Sequence, residues 1–318
     1  MGVAGTGKTF YAQSLVERLR AAGKRVDVIS KTHAASRRAN GKTADHWVRK
    51  YVLCGGVYCD VLWIDEISQV DAGLLLQLSK LTYRKMQFVL SGDFNQFPPI
   101  GSCFRGAAVS DDAFETSRLL HTMAQGNKVL LTECRRSSTM LFDFYSSLIP
   151  GQSRYETPMA EVLRCAKTLF TYDGTRRWNL VVSHRRRQMI NAHMNHEEAQ
   201  QYLEHVTKVG DMLLWPGQQL FGAVSKTKRN IQNACLYTID KIVPEESLVF
   251  LTGTERPFTF DEIKTWTKLS YAQTYASCQG SEYSGSLCLH DTKHTHFSRR
   301  HLFVGLSRAK EGTQIRIA

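Results

Sequence analysis

The feature that most constrains this chain is its opening octet, Gly2-Val3-Ala4-Gly5-Thr6-Gly7-Lys8-Thr9, which fits the pattern GxxxxGK(S/T) of a phosphate-binding loop. Glycines in such a loop let backbone N–H groups close around the phosphates of a nucleotide. The pattern predicts that Lys8 reaches the β and γ phosphates of ATP and that Thr9 binds Mg²⁺. The loop residues predicted to surround the phosphates with them are Gly2, Gly5, Thr6 and Gly7.

A helix is predicted directly after this loop, because Tyr11, Leu15 and Leu19 recur at four-residue spacing and Gly23 supplies a C-terminal stop. The positive end of the helix dipole would face the phosphates. This context favours a nucleotide site over a chance glycine-rich turn.

An apolar strand that ends in two carboxylates is predicted for Asp60–Glu66, with the sequence DVLWIDE. A parallel sheet presents catalytic groups at such strand ends. We therefore predict that Asp65 holds Mg²⁺ and that Glu66 acts as general base on the attacking water. Without the octet, two acids at a strand end would more often be a solvated turn.

A further buried strand is predicted from Met86 to Asp93, followed by a loop that contains Gln96 and the rigid turn Pro98-Pro99. The neutral Gln96 amide can contact the γ-phosphate or the attacking water without adding a charge. Taken alone, this glutamine would be an ordinary polar loop residue.

Length and composition narrow the class of protein. A chain of 318 residues is long enough for two domains. It has no apolar run near the roughly 18 residues that cross a bilayer, no secretory signal pattern and no CxxC pairs among its cysteines. These features predict no membrane contact and an intracellular location, in the nucleus or cytoplasm, including those of a virus-infected cell. The formal charge of +12 favours a polyanionic partner, although a solvated basic surface explains the charge equally well.

Six segments, in this order along the chain, resemble the motifs of superfamily 1 helicases of the 5′-to-3′ branch, and within it the petite-integration-frequency (PIF) helicases and their RecD-like relatives. The segments are GVAGTGKT, VLWIDEISQVD, LSGDFNQFPPI, LTECRR, YAQTYASCQG and LFVGLSRAK. The run Asp65–Asp71 is the most telling, because the PIF group has a closely similar acid-Ile-Ser run.

The resemblance implies an α/β fold class, with two RecA-like P-loop domains built on parallel sheets and a small β-barrel inserted in the second. The first domain is assigned to residues 1–125 and the second to residues 126–206 and 261–318. Short alternating strands, broken by Pro216-Gly217 and Pro244, place the barrel at residues 207–260.

The resemblance also implies an ATP site that two arginines complete, and Arg136 and Arg308 match those positions. A guanidinium there would stabilise charge on the transferring γ-phosphoryl group. Gln279 and Gly280 match the motif that links the nucleic-acid contact to the nucleotide. This motif departs from the family at Ala276, where a histidine is usual, and at Cys278, where a serine is usual.

The family's contacts to a nucleic-acid strand match four positions of this chain. They are Thr32, His33, Thr43 and Trp47. Trp47 would stack on a base, for about 1–3 kcal/mol, although a buried tryptophan is equally compatible with the sequence.

No β-strand precedes the phosphate-binding loop in this sequence, whereas the family places one there. A RecA-like sheet without that strand would have two unpaired neighbouring edges and a slot in its core, at a cost of at least several kcal/mol. Three explanations are compatible with this departure: a fragment of a longer protein, a misplaced start, or a chain that is no longer an enzyme.

The leading hypothesis is an ATP-dependent 5′-to-3′ DNA helicase or translocase that moves on single-stranded DNA, with ATP and Mg²⁺ in its site. The alternatives are a viral-type superfamily 1 RNA helicase and an inactive nucleic-acid-binding remnant or fragment. The acid-Ile-Ser run favours DNA over RNA, and the full set of catalytic residues argues against a remnant. No feature of the sequence decides the oligomeric state, and a monomer is compatible with it.

Overall fold

The computed structural model describes residues 1–99, 103–104, 107–108 and 114–318, so Ile100, the last residue of the segment LSGDFNQFPPI, lies outside the described residues. The chain divides into two compact units. The first unit contains Met1–Pro158, Gln279–Ser281 and Arg299–Gly312. The second unit contains Met159–Cys278, Glu282–Ser298 and Thr313–Ala318. Within the described residues, every helix is too short or too polar to span a bilayer.

Both compact units contain α-helices. In chain order they are α1 (Lys8–Ala21), α2 (His33–Arg38), α3 (Ala44–Trp47), α4 (Ala72–Ser79), α5 (Arg118–Met123), α6 (Thr139–Ser146), α7 (Met159–Leu169), α8 (His184–Ala199), α9 (Phe260–Trp266) and α10 (Arg299–Leu306). A π-helical turn covers Val48–Val52. Short 3-10 helices cover Ile67–Gln69, Lys80–Arg84, Gln200–His205, Thr227–Arg229, Pro244–Glu246 and Gly312–Gln314.

The strands of the first unit are β1 (Val26–Ser30), β2 (Lys42–Thr43), β3 (Val61–Asp65), β4 (Gln87–Ser91), β5 (Cys103–Phe104) and β6 (Ala107–Ala108). Those of the second unit are β7 (Trp178–Val181), β8 (Thr207–Val209), β9 (Met212–Leu214), β10 (Gln219–Gly222), β11 (Leu236–Val243), β12 (Leu248–Leu251), β13 (Phe258–Thr259), β14 (Thr267–Leu269), β15 (Ala272–Thr274), β16 (Leu287–Leu289) and β17 (Ile315–Ile317).

A parallel sheet in the order β2-β1-β3-β4 organises the first unit. Every residue of β3 is buried, as expected for a strand with a hydrogen-bonded neighbour on each side and an apolar sequence. The register aligns Asp65 with Ser30 of β1 and Ser91 of β4. The carboxyl ends of the three strands therefore meet at one edge of the sheet, where the predicted catalytic acids lie.

Strand β4 is less buried than its sequence predicts. Its first residue, Gln87, is exposed, and the next three residues are only partly buried. In the described part of the chain β4 pairs with β3 alone, and its other edge faces a groove of about 660 Å³. Tyr11, Leu15 and Leu19 of α1, whose spacing predicted the helix, line this groove.

Val129 and Leu131 also line the groove. Gly2 makes an isolated parallel bridge to Leu131, and the backbone N–H of Leu131 donates to the Met1 carbonyl at 2.9 Å. The groove thus lies beside β4 at the entrance to the phosphate-binding loop.

The second unit contains a parallel sheet, a five-stranded antiparallel sheet and the two-stranded antiparallel sheet β8-β9. The parallel sheet has the order β15-β7-β16-β17, and the five-stranded antiparallel sheet has the order β13-β12-β11-β10-β14. The antiparallel strands β10 to β14 overlap the region predicted as a small β-barrel. The predicted α/β class, with parallel sheets and a small antiparallel insertion, is confirmed.

Candidate nucleotide-binding site

The backbone of the phosphate-binding loop requires its glycines. Gly5 and Gly7 have φ angles of +87° and +79°, a region that disfavours residues with a Cβ atom. A Cβ on Gly5 would lie 2.9 Å from the Tyr145 hydroxyl, and one on Gly2 would lie 2.6 Å from the Leu131 carbonyl oxygen. The loop is therefore tightly enclosed by residues far along the chain, and it ends where α1 begins.

The side chains inside the loop contact its own backbone. Lys8 Nζ donates to the Val3 carbonyl at 3.0 Å, and Thr6 Oγ1 donates to the same oxygen at 2.8 Å. Burial lowers the pKa of Lys8, and the nearby carboxylates of Asp93 and Glu66 act in the opposite direction. A nucleotide phosphate could take the place of the Val3 carbonyl as a partner of Lys8, because both are hydrogen-bond acceptors.

Two side chains with oxygen atoms suited to Mg²⁺, Thr9 of α1 and Asp65 at the end of β3, lie together. Thr9 Oγ1 donates to Asp65 Oδ2 at 3.2 Å, and Ser91 Oγ donates to Asp65 Oδ1 at 2.7 Å. Trp63 Nε1 donates to Ser91 Oγ at 2.7 Å and so orients the serine. Burial and the neighbouring Glu66 raise the pKa of Asp65. Mg²⁺ prefers oxygen ligands, so this donor set fits the predicted magnesium site.

Glu66 has an uncommon backbone conformation, with φ +53° and ψ +49°. This left-handed region is unfavourable for a residue with a side chain, and such strain is often found at functional sites. Glu66 Oε1 accepts a hydrogen bond from Arg38 Nη2 at 3.2 Å, whereas Glu66 Oε2 is buried without a hydrogen-bond partner. The free oxygen fits the role of a base that awaits a water molecule.

Gln96, Arg136 and Arg308 come together although the sequence separates them widely. Gln96 Nε2 lies 3.4 Å from Asp93 Oδ2, and Gln96 Oε1 lies 3.5 Å from Arg308 Nη2. Arg308 Nη2 also donates to Ser307 Oγ at 2.9 Å, while Arg136 Nη1 donates to the Ser307 carbonyl at 3.1 Å. Both predicted arginines thus contact the same residue, Ser307.

Gln279 and Gly280 contact two predicted parts of the site. Gln279 Nε2 donates to the Phe97 carbonyl at 3.2 Å, in the loop that carries Gln96. The Gly280 carbonyl accepts from Arg38 Nη1 at 2.9 Å. Gly280 has φ +78°, and a Cβ on it would lie 3.5 Å from Thr32 Oγ1. The Gln279-Gly280 segment therefore lies between the loop after β4 and the start of α2.

Three of the four predicted strand-contacting residues are partly exposed, namely Thr32, His33 and Thr43. Thr32 Oγ1 caps α2 by accepting from the backbone N–H of Ala35 at 3.2 Å. Burial lowers the pKa of His33, which favours its neutral form.

The prediction that Trp47 stacks on a base is wrong. Trp47 is 0% exposed, and its Nε1 donates to Asp27 Oδ2 at 2.7 Å. Its ring packs in the core, with its centroid 5.6 Å from that of Tyr51. An indole enclosed on both faces offers no surface to a base, so the buried alternative is the correct one.

Two residues that position the loop were not found from the sequence. The Tyr145 hydroxyl donates to the Ala4 carbonyl at 2.9 Å, and burial raises the pKa of this tyrosine. The backbone N–H of Arg135 donates to the Gly5 carbonyl at 2.8 Å. No local pattern marks Tyr145, because the residue that it contacts lies 141 positions away. Arg38 was also missed, since a basic residue in the last turn of a helix is ordinary.

Comparisons with known proteins agree with this geometry. A family model described as an AAA domain matches residues 1–136. A second model, described as a viral superfamily 1 RNA helicase core domain, matches residues 177–317. The ATP-dependent DNA helicase RRM3 of Saccharomyces cerevisiae is 31% identical over 128 residues, a match that covers 31% of this chain and 18% of the relative. The chain thus spans less than a fifth of the curated relative that it matches.

Solved structures share the fold across the chain. The Pif1 helicase from Candida albicans aligns with a TM-score of 0.66 at 18% identity, covering 99% of this chain and 90% of that structure. The Bacteroides Pif1 bound to ssDNA aligns with a TM-score of 0.67 at 16% identity, covering 99% and 87%. At these identities the likeness concerns the fold, and it supports two RecA-like domains.

Proposed function

We propose that this chain is a PIF-like superfamily 1 helicase that hydrolyses ATP to move 5′ to 3′ along single-stranded DNA, and its similarity to two family models, to one DNA helicase and to Pif1 structures supports this. One observation carries the proposal. The first compact unit brings the phosphate-binding loop, the Asp65-Glu66 pair, Gln96, Arg136 and Arg308 together, although they are dispersed over the whole sequence. A solely structural set of polar residues would have no need of this combination.

The proposed reaction uses each side chain according to its contacts. Lys8 would exchange the Val3 carbonyl for phosphate oxygens of ATP. Glu66, through its unpartnered Oε2, would accept a proton from the attacking water. Gln96 would orient that water or the γ-phosphate, and Arg308 at 3.5 Å would stabilise the charge of the transferring group.

Thr9 and Asp65 would hold Mg²⁺, which supplies charge neutralisation on the phosphates when it is bound. Ser91 keeps the Asp65 carboxylate oriented by donating to Oδ1, and leaves Oδ2 on the side of Thr9. Arg136 would act as a second positive group at the phosphates, because it lies beside the phosphate-binding loop. A Cβ atom placed on Gly5 of that loop would be 3.4 Å from the Arg136 Cβ.

The nucleic-acid strand is proposed to contact Thr32, His33 and Thr43. Gln279 and Gly280 are proposed to link this contact to the bound nucleotide. The basic composition of the chain supports a nucleic-acid partner. Two of the similar structures support single-stranded DNA as the partner, since they are Bacteroides Pif1 bound to ssDNA and Bacteroides Pif1 in complex with ADP-AlF3 and ssDNA.

The domain boundaries at 125, 206 and 260 also stay a proposal, as do a monomeric state and a nuclear or cytoplasmic location. The proposed location rests on the similarity to a DNA helicase.

RNA is the second candidate for the nucleic acid along which the chain moves. The observation in its favour is the match of residues 177–317 to the viral RNA helicase core domain. The departures from the family at Ala276 and Cys278 lie in the motif that links the nucleic-acid contact to the nucleotide, so they concern how this loop holds either nucleic acid.

The test is steady-state ATP turnover by the full chain, alone and with single-stranded DNA or RNA. We expect DNA to stimulate turnover, and Glu66→Gln to lower the stimulated rate by about 100-fold or more. The matched control is Glu17→Gln, which removes one carboxylate from the exposed face of α1. Stimulation by RNA alone would replace DNA as the substrate, and undiminished turnover by Glu66→Gln would exclude Glu66 as the base.

The direction of movement along the nucleic acid is measured by the unwinding of partial duplexes. We expect ATP-dependent unwinding of a duplex with a 5′ single-stranded tail and none of a duplex with a 3′ tail. Unwinding from the 3′ tail would contradict the proposed polarity. A stably folded chain without ATP turnover under any condition would support the inactive remnant.

A further inference from the structure

The Arg38 guanidinium joins the proposed general base to the segment that contains Gly280. Its Nη2 lies 3.2 Å from Glu66 Oε1 and 3.9 Å from Asp65 Oδ2. Its Nη1 donates to the Gly280 carbonyl at 2.9 Å. One planar cation therefore contacts the catalytic acids on one side and a backbone oxygen 242 positions away on the other.

The helix that ends at Arg38, α2, is capped at its start by Thr32, which is a proposed contact to the nucleic-acid strand. The Arg38 carbonyl accepts from Gln13 Nε2 of α1 at 3.0 Å, so the end of α2 is tied to the helix that follows the phosphate-binding loop. Gly280 packs near both Thr32 and Ala35 of α2. A displacement of α2 or of Gly280 would therefore change the position of the guanidinium.

The pair leaves two buried atoms without a hydrogen-bond partner, Glu66 Oε2 and Arg38 Nε. A pair that served stability alone would be expected to satisfy both groups, because a buried unpaired polar atom is costly. With one oxygen held by Arg38, the Glu66 carboxylate cannot rotate freely, and the second oxygen stays available. This is the geometry of a base held by an orienting group.

We propose that Arg38 is a positioning residue, which orients Glu66 for proton transfer and links its orientation to strand binding at α2 and Gly280. The inference rests on the proposed function, because it assigns Glu66 as the base. Arginine is required for both links, since its two terminal nitrogens reach different acceptors at once. Lysine at this position would keep a charge near Glu66 but could not make the same two-sided contact.

The test compares Arg38→Gln, Arg38→Lys and the wild type in ATP turnover, with and without single-stranded DNA. We expect Arg38→Gln to lower the DNA-stimulated kcat by about 10-fold or more, with the KM for ATP within about 2-fold of wild type. Arg38→Lys should recover part of the DNA-independent rate lost in Arg38→Gln, yet show a smaller fold-stimulation by DNA than wild type.

Arg37→Gln is the matched control, because it removes the same charge from the adjacent, exposed position of α2. It should keep the wild-type stimulation. A wild-type stimulated kcat in Arg38→Gln would overturn the positioning role, and full stimulation in Arg38→Lys would overturn the link to Gly280. These results differ from a failure of the proposed function, in which the wild-type chain itself would show no DNA-stimulated turnover.

The interaction between Arg38 and Glu66 is also measured independently of ATP turnover. Thermal unfolding of Arg38→Gln, Glu66→Gln and the double variant should be non-additive, with a combined loss of Tm smaller than the sum of the two single losses. Additive losses would show that the two side chains do not interact, and would overturn the inference whatever the turnover of the chain.

Discussion

In the first compact unit, the Arg308 Nη2 atom lies 3.5 Å from the Gln96 Oε1 atom, although 212 positions separate the two residues in the sequence. Both side chains are almost fully buried, at 2% and 3% exposure. A buried guanidinium needs several acceptors, and Arg308 also donates to the Ser281 carbonyl and to Ser307 Oγ. An arginine just after α10 is thereby held beside a glutamine just after β4.

Arg308→Gln is expected to lower the maximal ATP turnover by about 1,000-fold, the usual scale for an arginine that stabilises phosphoryl transfer. ATP binding, read by the fluorescence of a labelled nucleotide, should change much less. Arg164→Gln is the control, because its side chain is 81% exposed. A drop in turnover that is matched by an equal loss of folded protein in circular dichroism would argue for a structural role alone.

Tyr145→Phe should weaken ATP binding and lower stability by about 1 kcal/mol, because the Ala4 carbonyl of the phosphate-binding loop loses its donor. Tyr172→Phe removes a comparable hydroxyl, whose hydrogen bond to the Thr175 carbonyl is exposed, and serves as the control. Nucleotide titration and urea unfolding measure the two effects. Equal affinity in both variants would show that Tyr145 does not hold the loop for the nucleotide.

The groove beside β4 predicts that an added strand stabilises the first unit. Five apolar residues joined ahead of Met1 would reach the open edge of β4, and each buried side chain contributes about 1.5 kcal/mol or more. We expect the Tm to rise by several degrees. The control is a Gly-Ser extension of equal length, which cannot fill an apolar groove. The same Tm for both extensions would mean that the groove does not accept a strand.

Acid should destabilise the second unit through His290. Burial lowers the pKa of this imidazole to about 4, below the ordinary value of 6.5, and its Nε2 lies 2.9 Å from Asn179 Oδ1. The unfolded chain therefore binds a proton at a higher pH than the folded chain. The stability is fully present above about pH 6.5 and is lost as the pH falls towards 4.

Between pH 7 and pH 5 the His290 contribution to this loss is expected to be about 2 kcal/mol. His290→Gln should lose less stability than wild type over that interval, in urea unfolding at both pH values. His193→Gln, at a side chain that is 70% exposed, should retain the wild-type pH dependence. An identical pH dependence in His290→Gln and wild type would contradict the lowered pKa.

The short motifs of the candidate nucleotide site can be recognised in the sequence alone. The octet, the strand that ends at Asp65 and the loop at Gln96 are short patterns, and each has a physical meaning within a few residues. The ends of parallel strands meet at one edge of a sheet, so the proximity of Thr9 to Asp65 also followed from the pattern.

Other features depended on contacts between distant residues. The sequence could not decide whether Trp47 faces a base or the core, because an aromatic ring suits both environments, and packing against Asp27 and Tyr51 decided it. Tyr145 and Arg38 carry no local signal, since the Ala4 and Gly280 carbonyls that they bind become their neighbours only in the folded chain.

Residue types and their order along the chain were enough to predict which groups the candidate site offers, namely a phosphate-binding loop, paired acids, a neutral amide and two arginines. Which of these groups touch became clear only from the folded chain. It joined Arg308 to Gln96 and Arg38 to Glu66, and it left one oxygen of Glu66 without a partner. The physical reason is that residue type sets what a group can bind, whereas burial and long-range packing set which partner it meets.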